Sequence, residues 1–475
     1  MRHAALTFIA VLALGAATRA SADDAFMQWF AARGGKAPHL ALQHFAGMGR
    51  GVAATDAIAE NDLLLSVPLD IVISRDTVSA HLAEAHKSAT GDAAVSAAAA
   101  RRDAFAAITS DENLVAMFLL LQQCLGSASP WAPYVKLLPT RVPVAFLWDD
   151  GPLAALQECD PGIAARSRRL RKEIFATYAS YGEHGVLKRI FGDTAACAAT
   201  ADGGVPDASA FAHAIALVDS RALTIQGRKY LVPFADMFNC EFDQTERDHE
   251  SGANFLKYHI LGKETFDVRA DRATTAGGQV FEDYGDNPSA VYLEHHGFVA
   301  QDNQFDCVLV ELPPVRSRRK GDIRRLLRLQ PPRSCVAPNR ALPAGLLYSA
   351  RLLAMTADEA ERCASVLERD GVHRHTVNGP KCFAPGGGSD LDARARGVVA
   401  AAARKRLTDF PTTADDDKSI LDASARFANV GVGATTGGLG LSVARLHEHE
   451  RMAVSYRLGR KAQLLQLIKQ LSPES

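Results

Sequence analysis

The sequence predicts an α+β fold in which short β segments are interrupted by a helical insertion and followed by a largely helical C-terminal unit. Three observations point there. Strand character appears in HFAGMGRGVAATDAIAENDLLLSVPLDIVIS and returns in LTIQGRKYLVPFADMF and TFDVRADRATTAGGQVFEDYG, each rich in β-branched residues and broken by glycine. Between them, from about 76 to 216, apolar residues recur at three- and four-residue spacing, as in ENLVAMFLLLQQCL. Beyond about Phe305 the pattern stays helical to the end.

At 475 residues the chain is long enough for two or three domains, and 47% hydrophobic with 23% charged residues is ordinary globular composition. A formal net charge of −1 argues against general nucleic-acid binding, which needs an excess of Lys and Arg to neutralise phosphates. Arg2 and His3, the apolar run Ala4–Ala17 and the small residues Ala20-Ser21-Ala22 form the pattern of a secretory signal peptide over 1–22. That run is too short for a stable anchor, and no later segment is apolar enough to span a membrane, so a mature chain without a transmembrane anchor is expected. Eight cysteines are scattered with no C-x-x-C pair, which makes zinc improbable. Some of them can pair in a secreted chain, and the connectivity is open.

Asp23 or Asp24 is placed to cap a short helix through AFMQWFAARGG, ended by Gly34-Gly35. After the insertion, whose WAPYVKLLPTRVPVAFLW stretch is a proline-punctuated connection, stands YLVPFADMFNCEFD. Here a buried apolar run passes straight into Asp236, Asn239 and Cys240 with no turn between. Buried polar groups need partners, so this stretch caps a core or lines a pocket. Further on, VRSRRKGDIRRLLRL is strongly basic, either a solvated helix face or a docking surface for an acidic partner. FAPGGGSD and GVGATTGGLGLS read as flexible breaks.

The ordered set GMGRGVAATDAI, SVPLDIVIS, ALVDSRALTI, LVPFADMFNC and GGQVFEDYGDNPSAVYLEHHGF resembles the SET-domain protein methyltransferases, in the branch of the Rubisco large-subunit lysine methyltransferase (LSMT). The resemblance implies a SET catalytic domain over 23–304, made of small twisted β-sheets with the helical insertion, and an all-helical substrate-binding domain over 305–475. It also implies S-adenosyl-L-methionine as cofactor and a protein substrate. By position, Met48, Gly49, Arg50 and Gly51 match the cofactor turn, although G-x-G alone is equally an ordinary tight turn. Arg221 matches the arginine facing the cofactor carboxylate, for which a guanidinium fork suits the chemistry.

Asp236, Asn239 and Cys240 match an Asp-x-x-Asn-His motif whose histidine is cysteine here. Tyr284 matches the catalytic tyrosine, Phe298 the aromatic packed on adenine, and His296 a neighbouring cofactor contact. In the substrate channel, Ala235 and Leu223 stand where the histidine-specific member carries Trp and Asn, which favours a lysine target with histidine as the alternative. Glu282 and Asp283 either draw a cationic lysine into that channel or sit on an exposed strand side. The competing class is a catalytically weak or inactive SET scaffold, which Cys240 and Arg50 favour. A signal peptide implies the secretory route, while the cofactor is made in the cytosol. Import into a lumen, a plastid reached through the secretory route, or a misread N-terminus with a cytoplasmic protein each reconcile the two.

Overall fold

A computed structural model describes residues 22–192, 205–240, 259–300, 303–329, 333–338, 340–370, 389–429 and 447–472. The signal-peptide segment, Cys197, Cys382 and most of the two glycine-rich breaks lie outside these residues. The chain divides into two compact units: Met1–Leu147 with Arg166–Asp286 and Leu293–Gly297, and Trp148–Ala165 with Asn287–Tyr292 and Phe298–Ser475.

The first unit opens with a helix over 22–32, so Asp23 and Asp24 lie inside it rather than capping it. The strands follow as β1 (Leu40–Phe45), β2 (Gly49–Ala54), β3 (Leu63–Pro68), β4 (Ile73–Ser74), β5 (Leu223–Ile225), β6 (Arg228–Leu231), β7 (Asn239–Cys240), β8 (His259–Leu261), β9 (Thr265–Arg269) and β10 (Gln279–Glu282). They form three small sheets, ordered β1-β2-β10-β7, β3-β9-β8 and β4-β6-β5. Every pairing among them is antiparallel except β7 with β10, which is parallel.

Between β4 and β5 lies the helical insertion. Its helix Arg75–Ser88 is capped by Ser74 and its helix Asp111–Leu125 by Ser110, each side chain accepting from a backbone N–H of the first turn. Leu114 to Leu121 are all buried, so Asp111–Leu125 is apolar around most of its circumference and forms the middle of the core. It packs on Ala208–Arg221, which is capped by Asp207 and buries Phe211, Ile215 and Val218. Phe26 and Phe30 complete that core, each edge-on to Phe234 at 5.7 and 5.4 Å.

The second unit is helical, as expected, with one addition. Its helix Glu448–Leu471 packs on Asp150–Cys159, Ser389–Thr408 and Ala414–Asn429. The addition is the antiparallel pair β11 (Val308–Glu311) and β12 (Arg333–Val336), closed by a Cys307–Cys335 disulfide with Cα atoms 5.3 Å apart. Four residues per strand, flanked by arginines and prolines, give too short an alternation to read from sequence. Beneath Glu448–Leu471, the wholly buried Asp417 accepts from Arg457, Lys461 and Thr412.

Candidate active site

The apolar end of β6 runs into a backbone reversal at Phe234, whose φ of +76° is strained for a residue with a bulky side chain. The reversal starts a 3-10 turn, Ala235–Met237, and tucks the Asp236 side chain inward to 1% exposure. Arg221, the last residue of its helix, donates through Nη1 to the Asp236 carbonyl at 2.8 Å and to Oδ2 at 3.3 Å. Tyr134 donates to the same Oδ2 at 2.9 Å. Burial pushes the Asp236 carboxyl above its ordinary range against the opposing pull of Arg221 and Tyr134. The polar residue after the apolar run is therefore paired inside the unit, with Arg221 held through Nη1 and 26% exposed.

Strand register brings in the second group. Gln279 pairs with Ala53 on β2 and Phe281 with Asn239 on β7, so Asn239 and Gln279 share one face of the sheet. Gly51 lies on that face. A Cβ added there would come 2.5 Å from Asn239 Nδ2 and 2.8 Å from Gln279 Nε2, so only glycine fits without displacement. Asp236 Oδ1, Asn239 Nδ2 and Gln279 Nε2 are buried and have no hydrogen-bond partner among the described residues. Native interiors pair such atoms, and these three leave polar valences to which a ligand can bond.

On the opposite face Glu282 pairs with Cys240, and Tyr284 follows two residues later. The Tyr284 hydroxyl donates to the Phe238 carbonyl at 2.8 Å, and its ring lies 4.8 Å from that of His296. Burial, then the neighbouring Glu282, holds the Tyr284 hydroxyl well above the phenol range. It stays protonated at every physiological pH. Burial, then Asp236 and Asp283, likewise pushes Glu282 well above the carboxylate range. His296 is bound through Nδ1 to the Ser220 carbonyl at 3.2 Å, and burial lowers it to about 4, so it is neutral. Beside it, His295 meets Asp219 at 2.8 Å, and that contact raises its pKa. Gly297, at φ +75°, turns where a Cβ would strike the Pro143 backbone at 2.8 Å.

Arg221, Asp236, Asn239, Cys240, Glu282, Tyr284, His296 and Gly51 thus belong to one compact unit. Gly49, at φ +77°, makes the β1–β2 turn with Met48, which is 41% exposed. The Arg50 side chain is committed to Asp23 at 3.0 Å and to the Leu137 carbonyl at 2.6 Å, and its backbone is in register with His44 of β1. Ala235 is buried and Leu223 half-buried. Phe298 is counted with the second unit, where it stacks on Tyr292 at 5.2 Å. Two residues escape sequence reasoning. Tyr134 lies in a proline-rich connection with no motif of its own, and its signal is a lone hydroxyl in an apolar run. Gln279 is a polar residue at an inward strand position, a signal that could have been read. Among the described residues, no cluster of His, Cys, Asp and Glu is placed to hold a metal, and no helix is long and apolar enough to cross a membrane.

Comparison with solved structures decides the fold. The structure of Rubisco LSMT bound to sinefungin and monomethyllysine matches at TM-score 0.62 and 19% identity, covering 95% of this chain and 91% of that one. The chain has the LSMT-type SET fold. Rubisco LSMT bound to AdoMet matches at TM-score 0.59 and 20% identity with the same coverage. Residues 293–464 match the family Rubisco LSMT substrate-binding. Among curated proteins, the actin-histidine N-methyltransferase of Drosophila melanogaster is 23% identical over 400 residues, which spans 75% of this chain and 65% of that protein.

Proposed function

We propose that the chain is an S-adenosyl-L-methionine-dependent protein N-methyltransferase acting on a lysine side chain. The observation that carries this reading is the convergence of Arg221, Asn239, Gly51 and Tyr284 with three unsatisfied buried polar atoms. It occurs in a fold whose solved members hold AdoMet, AdoHcy and lysine. The residues suit that cofactor: the open edge of Arg221 offers donors to a carboxylate, Asn239 and Gln279 offer amides, and the missing Cβ of Gly51 makes room for those amides beside β2. Bound there, the cofactor supplies a methyl group activated by its positively charged sulfur.

The chain's own residues supply alignment and exclusion of water. Tyr284 keeps its proton and donates it in a hydrogen bond to the Phe238 carbonyl, so its contribution is an electron-rich oxygen that orients the amine and the methyl, not proton abstraction. A lysine has a reference pKa of about 10.4 and must arrive deprotonated. The rate of transfer is therefore expected to rise from neutral into alkaline pH; a flat profile would contradict lysine as the limiting nucleophile.

A histidine target is the second reading, favoured by the curated relative's activity. Ala235 and Leu223 favour lysine. The test is incubation of the protein with labelled cofactor and a cell extract, followed by mass spectrometry of the labelled band. A methylated lysine supports the proposal, a methylated histidine replaces it with the second reading, and label-free extract supports an inactive scaffold. We also assign the chain to an oxidising compartment, on the Cys307–Cys335 disulfide and the disulfide-bonded state of Cys124 and Cys363. Imaging the tagged full-length protein checks this, and a cytosolic or nuclear pattern would end it.

A further inference from the structure

The basic run VRSRRKGDIRRLLRL forms the helix Arg318–Leu326 and its flanks, capped by Ser317. Ile323 is fully buried and fixes which side faces inward. At about 100° per residue, Arg319 and Lys320 flank Ile323. Both are tied down: Arg319 bonds Glu361 at 2.7 Å and Glu368 at 3.0 Å, and Lys320 Nζ bonds the Leu353 and Met355 carbonyls. On the other side, Arg325 pairs with Asp322. The side chains of Arg316, Arg318, Arg324 and Arg328 have no hydrogen-bond or acidic partner among the described residues; Arg324 is half-buried and the other three are exposed. Leu326, between them in sequence, is 41% exposed.

We propose that this arginine-rich stretch, 316–328, is a docking surface for an acidic segment of a partner polypeptide. Four unpaired guanidinium groups on one short stretch repel one another, and carboxylates match their forked donors. The whole chain carries only −1, so the patch is a local excess and not part of a general affinity for polyanions. Nucleic acid fits less well, since sequence-independent binding grows with the number of phosphates neutralised and this stretch offers four arginines on a chain without net positive charge. A membrane fits less well, because the apolar stripe needed to enter it is turned inward at Ile323. The inference does not depend on methyl transfer.

The experiment uses the full chain and three probes: fluorescein-labelled octaglutamate, a labelled single-stranded oligonucleotide, and phosphatidylserine–phosphatidylcholine vesicles. Saturable octaglutamate binding that weakens at least about tenfold in R316E/R318E/R324E/R328E, and is kept within about threefold when the four become lysine, is expected. An Arg→Gln version of all four guards against misfolding and should lose binding with an unchanged melting curve. Octaglutamate affinity that ignores these substitutions overturns the proposal. So does tighter oligonucleotide or vesicle binding through the same four arginines.

Discussion

Two buried aspartates, one in each unit, show the difference between a part that holds a fold and a part that waits for something. Asp417 is wholly enclosed, yet Arg457, Lys461 and Thr412 satisfy both its oxygens, and although burial acts to raise its pKa these contacts hold it below the usual carboxylate range. Asp236 is equally enclosed but shares Tyr134 and a partly exposed Arg221 on one oxygen, while the other has no partner among the described residues. Burial wins there, and its pKa rises. Neutralised charge with every acceptor used is what a structural cluster requires; an incomplete set beside a bare glycine is what a binding site retains.

The largest test of that contrast is stability. Asp417→Asn strands Arg457 and Lys461, only 7% and 1% exposed, and should remove about 3–5 kcal/mol in denaturant unfolding. Asp236→Asn frees a cation that already reaches solvent and should cost less than about 1 kcal/mol. Equal losses would erase the distinction. Because the native Asp417 pKa is lowered, its stabilisation is present above the unfolded value near about 3.9 and fades as pH falls through that region.

Gly51→Ala comes next. Its Cβ must push Asn239 or Gln279 aside, at about 1–3 kcal/mol by overpacking, and cofactor affinity should fall with it. Unchanged affinity would mean that Asn239 and Gln279 do not face the ligand. Tyr284→Phe should slow single-turnover methyl transfer at least about tenfold while leaving cofactor affinity alone; an unchanged rate removes Tyr284 from the chemistry.

The smallest effect is a sign. Glu282 has a raised native pKa, so the fold favours its protonated form. Its favourable contribution exists below the unfolded value near about 4.3 and is lost as pH rises from there toward the native value. Glu282→Gln should therefore raise the melting temperature at neutral pH and scarcely change it near pH 4. A variant less stable at neutral pH would show that Glu282 is ionised and paired.

Most of this arrangement was legible where a local signal exists. The helix Asp111–Leu125 announces itself by its apolar run and Ser110 cap, and the DSR, ADMFNC and EDYG segments by their order along the chain. What was hidden depends on pairing between distant residues. The partner of Arg221 is Asp236 because Phe234 reverses the backbone, and nothing in VPFAD spells out a positive φ. Arg50 looks like part of a ligand turn, but its side chain is claimed by Asp23 and Leu137 from elsewhere in the same unit. Cys307 and Cys335 pair because β11 and β12 fold together, a fact that spacing alone does not determine.

Titrating the full-length protein with S-adenosyl-L-methionine by calorimetry, beside Arg221→Ala, questions the chain most sharply. Saturable heat and a raised melting temperature for the native protein, both lost in the variant, mean that the open carboxylate, amides and glycine of the first unit enclose a sulfonium ligand. A native protein that gives neither heat nor thermal shift has no such ligand, and those unpaired atoms would need another explanation.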